Sequence, residues 1–212
     1  MTARTRIKVC GMTDMAEARG AAEAGVDALG FIFVKQSPRY IDPDLARNII
    51  RILPPFVDAV GVFVNEDPDV VGEIAQYCGL TMVQLHGDEP PEYCQKITTR
   101  IIKTFSVGAG RQAPDLSPYA GIVSGFLFDT FHEKIAGGTG ETFDWSILEG
   151  IEAPGPIILA GGLAPENVSE AIRQTSPFAV DVNSGVEIEP GRKLLERIRM
   201  FVQEVGKADR QS

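Results

Sequence analysis

The segment RIKVCGMTDMAEARGAAEAG, residues 6–25, contains one strand-and-helix unit that the rest of the chain repeats. The short β-branched run at 6–10 predicts a buried strand. Asp14 then stands where a helix over 14–24 should begin. Outward from this unit, strands are predicted at 27–33, 58–64, 82–86, 101–105, 125–129, 156–160 and 178–182. The intervening helices are predicted at 43–53, 68–78, 90–97, 115–120, 144–150, 165–174 and 191–205, four of them opening near Pro43, Pro68, Pro90 and Pro165.

Eight strands, each followed by a helix, predict an all-parallel sheet that closes into a single (β/α)8 TIM barrel. An open doubly wound sheet is the alternative, but no GxGxxG follows the first strand and the repeat continues to the end. The chain has 212 residues, 44% of them hydrophobic, and no linker. We therefore expect one domain over 1–212, with a frayed tail at 206–212.

Composition narrows the classes of function. A formal net charge of −9 argues against nucleic-acid binding, although it permits a small anionic substrate at a locally positive site. Three widely spaced cysteines, two histidines and no CxxC argue against a zinc site, and no metal is expected. No apolar run reaches membrane-spanning length, and the opening segment does not resemble a signal peptide. The cytoplasm is the expected compartment.

Polar residues interrupt the apolar pattern where the predicted strands end, which is where the chemistry of such barrels lies. Taken alone, each has a plain structural explanation: a buried thiol, a turn cap or a surface cation. Their convergence at one barrel mouth favours an enzyme over a binding module. The set comprises Cys10, Arg39, Asn65, His86, Asp129, Asp181, Asn183 and Ser184.

Glycine-rich loops follow the last three strands. GGTG (137–140) contains Gly138 and Gly140, AGGL (160–163) contains Gly161 and Gly162, and NSGVE (183–187) contains Gly185. Glycine lets backbone N–H groups approach phosphate oxygens closely. Because the loops after strands seven and eight form the usual phosphate site of these barrels, a phosphorylated ligand is predicted.

Several motifs occur in an order that resembles the phosphoribosylanthranilate isomerase family of tryptophan biosynthesis. They cover almost the whole chain: KVCGMT (8–13), GFIFVKQSPRYI (30–41), QLHGDE (84–89), LFDT (127–130), GGTGETFDW (137–145), LAGGL (159–163) and DVNSGVE (181–187). The resemblance implies a cofactor-free Amadori rearrangement of N-(5-phosphoribosyl)anthranilate, a small phosphorylated substrate. The oligomeric state stays open.

The resemblance also assigns roles. It implies Cys10 as general base, Asp129 as general acid and Arg39 as the clamp on the anthranilate carboxylate. His86 would line the site, and Asp181 would lie near the sugar hydroxyls. AGGL and NSGVE would hold the phosphate through Gly161, Gly162, Asn183, Ser184 and Gly185, while GGTG would close over the site. Two positions depart from the family pattern: Asn183 replaces a common serine, and Leu194 stands where aspartate usually follows PGRK.

Two rival functions remain open from the residues. A histidine-pathway phosphoribosyl aminoaldose isomerase needs the same chemistry but should carry a carboxylate where this chain has Cys10. A non-catalytic phosphosugar-binding barrel belongs to a different class.

Lys8 has two explanations of its own. It lies two residues before Cys10 on one strand, so both side chains point to the same face. Such a lysine could form a structural ion pair with Asp181, lower the pKa of Cys10, or do both.

Overall fold

A computed structural model describes residues 4–108, 113–130, 145 and 151–211. Eight parallel strands follow one another around a closed barrel, in which β8 pairs back with β1. They are β1 (Arg6–Val9), β2 (Ala28–Ile32), β3 (Asp58–Phe63), β4 (Met82–Leu85), β5 (Arg100–Val107), β6 (Gly125–Thr130), β7 (Ile157–Ala160) and β8 (Ala179–Val182). The predicted barrel is confirmed, with every strand end within two residues of its predicted position, and the open sheet is excluded.

Helices pack around the barrel. They are α1 (Met15–Glu23), α2 (Pro43–Ile50), α3 (Pro68–Cys78), α4 (Pro91–Cys94), α5 (Val168–Thr175) and α6 (Leu195–Gln211). The predicted starts of the first three are confirmed, because aspartate side chains accept hydrogen bonds from first-turn N–H groups. None of the helices in these described segments is both long and apolar enough to cross a bilayer.

Other helix predictions were wrong in extent. The fourth helix, predicted over 90–97, spans only four residues, and the fifth is a single 3-10 turn at Ser117–Tyr119. Pro165 lies in the turn that precedes α5 rather than at its first residue. The predicted helix over 144–150 lies outside the described residues except for Trp145.

The C-terminal helix begins later and ends later than predicted. Residues at the predicted start form an antiparallel hairpin of β9 (Glu187–Glu189) and β10 (Arg192–Lys193), which turns through Gly191 at a φ of 83°. α6 then continues to Gln211, so residues 206–211 are helical rather than frayed. Tertiary contacts account for this, because Ala208 is buried and Asp209 accepts a 2.7 Å hydrogen bond from Thr5 Oγ1.

Two apolar layers fill the molecule. The larger lies between the strands and the helices and includes Phe31, Phe63 and Phe201. A smaller cluster includes Val60 on β3, Leu127 on β6 and Ile158 on β7. Charged residues that are buried at the strand ends are therefore exceptions that need partners.

Candidate active site

Cys10 follows β1 directly and is held by its backbone, whose N–H donates to the carbonyl of Val182 at 2.8 Å. Its side chain is buried against β2. A Cβ atom at Gly30 would lie 2.7 Å from Cys10 Sγ, so only glycine there leaves room for the thiol. The strand end predicted to carry the base thus presents a sulfur atom in a tightly defined position.

The charges around Cys10 come from β1 itself, from the adjacent strand β8 and from β10 of the hairpin. Lys8 Nζ donates to Asp181 Oδ2 at 2.7 Å, and both side chains are less than a tenth exposed. Burial lowers the pKa of Lys8, but Asp181 and Cys10 together outweigh burial and raise the pKa above its ordinary value, so Lys8 stays charged. Burial also raises the pKa of the Cys10 thiol, and Lys8 and Lys193 oppose that rise without cancelling it. The ion-pair explanation of Lys8 is confirmed, and its effect on Cys10 has the predicted sign.

A second group of side chains lies across the barrel mouth. His86 Nε2 approaches Asp129 Oδ2 at 3.3 Å, and both side chains are partly exposed. On its other side, His86 Nδ1 lies 3.2 Å from Gln84 Nε2. With Gln84 donating to Nδ1, the neutral imidazole carries its hydrogen on Nε2 and directs it at the carboxylate. Sequence reasoning missed Gln84, although an amide inside the apolar strand MVQLH was a usable signal.

Arg39 is not a free surface cation. Its Nε donates to Glu187 Oε1 at 2.9 Å, and its Nη2 donates to Glu187 Oε2 at 2.7 Å. Glu187 also accepts from Lys193 Nζ at 2.7 Å and from the backbone N–H of Gly191 at 3.1 Å. Neither Glu187 nor Lys193 was predicted to be a site residue. Glu187 is the last residue of the glycine-rich segment NSGVE, and Lys193 is the last residue of PGRK.

The glycine loops after β7 and β8 are in direct contact, as a shared phosphate site requires. Gly161 and Gly162 have φ angles of 86° and 63°, which favour glycine. A Cβ atom at Gly185 would lie 1.9 Å from the carbonyl oxygen of Leu163. Gly185 lies within a 3-10 turn over Ser184–Val186, whose first N–H groups have no partner inside the turn.

Three more predicted site residues are Asn183, Gly138 and Gly140. Asn183 stands at the end of β8, where its Oδ1 accepts from Lys193 Nζ at 2.8 Å. Gly138 and Gly140, predicted to close over the site, lie outside the described residues.

Comparison with known proteins decides the family. The model of the N-(5'phosphoribosyl)anthranilate (PRA) isomerase family matches residues 7–204. The chain belongs to this family. A family member from Trichlorobacter lovleyi, N-(5'-phosphoribosyl)anthranilate isomerase, is 50% identical over 205 residues, which cover 96% of this chain and 98% of the relative.

Solved structures of the family have the same fold. Phosphoribosyl anthranilate isomerase from Thermotoga maritima is 43% identical, covers 96% of this chain and 99% of its own, and superposes with a TM-score of 0.86. Another solved member is in complex with reduced 1-(o-carboxyphenylamino)-1-deoxyribulose 5-phosphate. It is 40% identical, with a TM-score of 0.80 and coverage of 96% of this chain and 99% of its own.

Proposed function

We propose that the protein converts N-(5'-phosphoribosyl)anthranilate into 1-(2-carboxyphenylamino)-1-deoxyribulose 5-phosphate, an Amadori rearrangement in L-tryptophan biosynthesis. One observation carries the proposal: the family match spans residues 7–204, and within it a buried thiol ends β1 while a carboxyl group ends β6. The rival histidine-pathway isomerase should carry a carboxylate at the end of β1, where this chain has Cys10.

The reaction moves hydrogen within one molecule, so an acid and a base suffice without a cofactor or metal. Asp129 donates a proton to the furanose ring oxygen, the bond from that oxygen to C1 breaks, and a protonated Schiff base forms. Cys10, as the thiolate, removes the proton from C2, and the electron pair of that C–H bond neutralises the iminium. The resulting enolamine tautomerises to the ketone. General acid–base help of this kind contributes roughly 10²–10⁴ in rate.

The two ends of the substrate would be held by groups of suitable charge. Arg39 presents to the anthranilate carboxylate the N–H groups that Glu187 leaves unused. The phosphate would lie on the glycine loops after β7 and β8, near the start of the 3-10 turn at Ser184–Val186. Fixing both ends supplies the positioning that acid–base chemistry alone does not.

Asp181 suits a role beside the sugar. Its Oδ2 is engaged by Lys8, whereas its buried Oδ1 has no hydrogen-bond partner among the described residues. A buried carboxylate oxygen that lacks a donor is a natural acceptor for a hydroxyl group. A sugar hydroxyl would provide that donor.

The compartment follows from the proposed pathway and the thiols. All three cysteines are free, as expected in a reducing compartment, and we propose that the enzyme acts in the cytoplasm.

An assay of purified protein tests the function. N-(5'-phosphoribosyl)anthranilate is fluorescent, and its conversion should be seen as a loss of that fluorescence. The histidine-pathway aminoaldose, tested in parallel, should not be converted, and Cys10→Ala is the control for adventitious activity. A folded wild-type protein that leaves the anthranilate substrate intact would refute the proposal.

A further inference from the structure

Two buried charged residues to which the proposed reaction assigns no proton transfer lie between the two ends of the site. Lys193 is in the hairpin after β8, and its side chain is fully buried, with Glu187 only 4% exposed. A buried lysine is costly unless it is paired and fully hydrogen-bonded. Lys193 meets that condition, because its Nζ donates to Glu187 at 2.7 Å and to Asn183 Oδ1 at 2.8 Å.

Glu187 determines which edge of the Arg39 guanidinium is available. A guanidinium has five N–H donors in a rigid planar fork. Glu187 occupies the edge formed by Nε and Nη2. The Nη1 hydrogens and the second Nη2 hydrogen therefore form the edge left for a ligand carboxylate. Without Glu187, the long arginine side chain could adopt other rotamers.

Lys193 also determines the charge of this group. Arg39 and Glu187 together are neutral, and a neutral pair attracts an anion only weakly. Lys193 restores a net positive charge between the carboxylate clamp and the loop that begins at Asn183. It does so without an exposed ammonium group that could itself bind the ligand, because its side chain is fully buried.

We propose that Glu187 and Lys193 are positioning residues that join Arg39 and the Asn183 loop into one rigid, positively charged unit. This proposal rests on the proposed function, which places the substrate carboxylate at Arg39 and its phosphate at the Asn183 loop. Its consequence is that the two ends of the substrate are bound at a fixed separation. Phosphate binding then helps to place the reacting carbons, as remote binding energy does in other enzymes.

Calorimetric titration with two fragments tests this without requiring turnover. Anthranilate probes the carboxylate clamp, and ribose 5-phosphate probes the phosphate loop. In Lys193→Met, which keeps most of the side chain's length but removes the charge, the Kd of both fragments should rise by roughly tenfold. In Arg39→Ala, the Kd of anthranilate should rise by a larger factor than that of ribose 5-phosphate, because only anthranilate loses a direct contact. If Lys193→Met changes neither Kd, or only one, the two ends are not joined through Lys193.

Lys103→Met is the matched control. Lys103 is also a buried lysine in an ion pair, 3.0 Å from Glu89, and it lies on β5, opposite β1 in the barrel order. The Lys103→Met variant should lose about as much stability as Lys193→Met. Its affinities for anthranilate and ribose 5-phosphate should be unchanged. If Lys103→Met weakens both fragments as strongly as Lys193→Met does, the effect is general destabilisation and the proposal is wrong.

Glu187→Gln separates positioning from charge and serves if Lys193→Met does not fold. It keeps the shape but makes the site more positive, so a purely electrostatic role predicts tighter anthranilate binding. Positioning predicts weaker binding, by roughly tenfold, because one side of the arginine is no longer held by a carboxylate. Tighter or unchanged binding would overturn the proposal. Wild-type protein that binds both fragments but converts no substrate would contradict the proposed function instead.

Discussion

Replacing Lys8 with methionine should cost about 3–5 kcal/mol of folding stability, because it leaves a buried carboxylate without its cation. Lys8 and Asp181 are 4% and 7% exposed, and their charged atoms are 2.7 Å apart. Among the described residues, the other oxygen of Asp181 has no hydrogen-bond partner that could compensate. The expected loss is a large part of the roughly 5–15 kcal/mol that stabilises a typical domain.

Urea denaturation at pH 7 measures this loss. Arg100→Met is a suitable comparison, because Arg100 on β5 pairs with Asp58 on β3 at 3.3 Å but is 59% exposed. An exposed pair of this kind contributes about 0–1 kcal/mol. The double variant Lys8→Met/Asp181→Asn should recover part of the stability, since its buried amide is neutral. If Lys8→Met loses no more stability than Arg100→Met, the reasoning about the buried pair is wrong.

The pH dependence of this stability has a definite sign. The pKa of Lys8 is raised above the ordinary value of 10.5 in the folded protein. Its stabilising contribution is therefore fully present below that pH and is lost as the pH rises through the higher folded-state value. The part of the stability difference between wild type and Lys8→Met that comes from the Lys8 charge should therefore shrink in strongly alkaline solution.

The same variant should alter the kinetics in one direction. Burial raises the pKa of Cys10 in the free enzyme, and Lys8 opposes that rise. Without Lys8 the pKa of the Cys10 thiol should rise further. The ascending limb of the pH profile of kcat/KM should therefore move to higher pH. A limb that stays in place in well-folded Lys8→Met would make Lys8 purely structural.

Three further predictions concern the site. Cys10→Ala and Asp129→Asn should each lower kcat by at least about 10²-fold with an unchanged circular dichroism spectrum, and near-normal turnover would remove the assigned role. Arg39→Ala should weaken substrate binding by about 2–5 kcal/mol and Arg39→Lys should restore only part, while a decarboxylated analogue should be insensitive to both changes. Gly185→Ala should raise KM and lower Tm, because its Cβ would overlap the carbonyl oxygen of Leu163 at 1.9 Å; unchanged values would show that the two loops can separate.

Local patterns in the chain were sufficient to predict the barrel. Alternating strand and helix patterns and helix-start signals at Asp14, Pro43 and Pro68 depend on neighbouring residues, so they can be read without a structure. Once eight parallel strands are assigned, their ends must meet at one rim, which is why Cys10 and Asp129 could be placed at the same mouth. Residues 191–193 were predicted to start a helix, but they belong to the turn and the short strand β10. A hairpin over so few residues shows no clear periodicity of apolar residues.

Only the tertiary structure decided how the charges in the site are paired. Arg39 and Glu187 are 148 residues apart, and nothing in the pattern around either one indicates the other. For Lys8, the strand pattern indicated an inward-facing cation but left an ion pair and a catalytic influence equally open. The physical reason is that an ion pair depends on distance and burial, and both arise only when separate elements pack together. The sequence by itself thus determined the barrel and which polar residues end its strands, whereas packing determined which charge each of these residues faces.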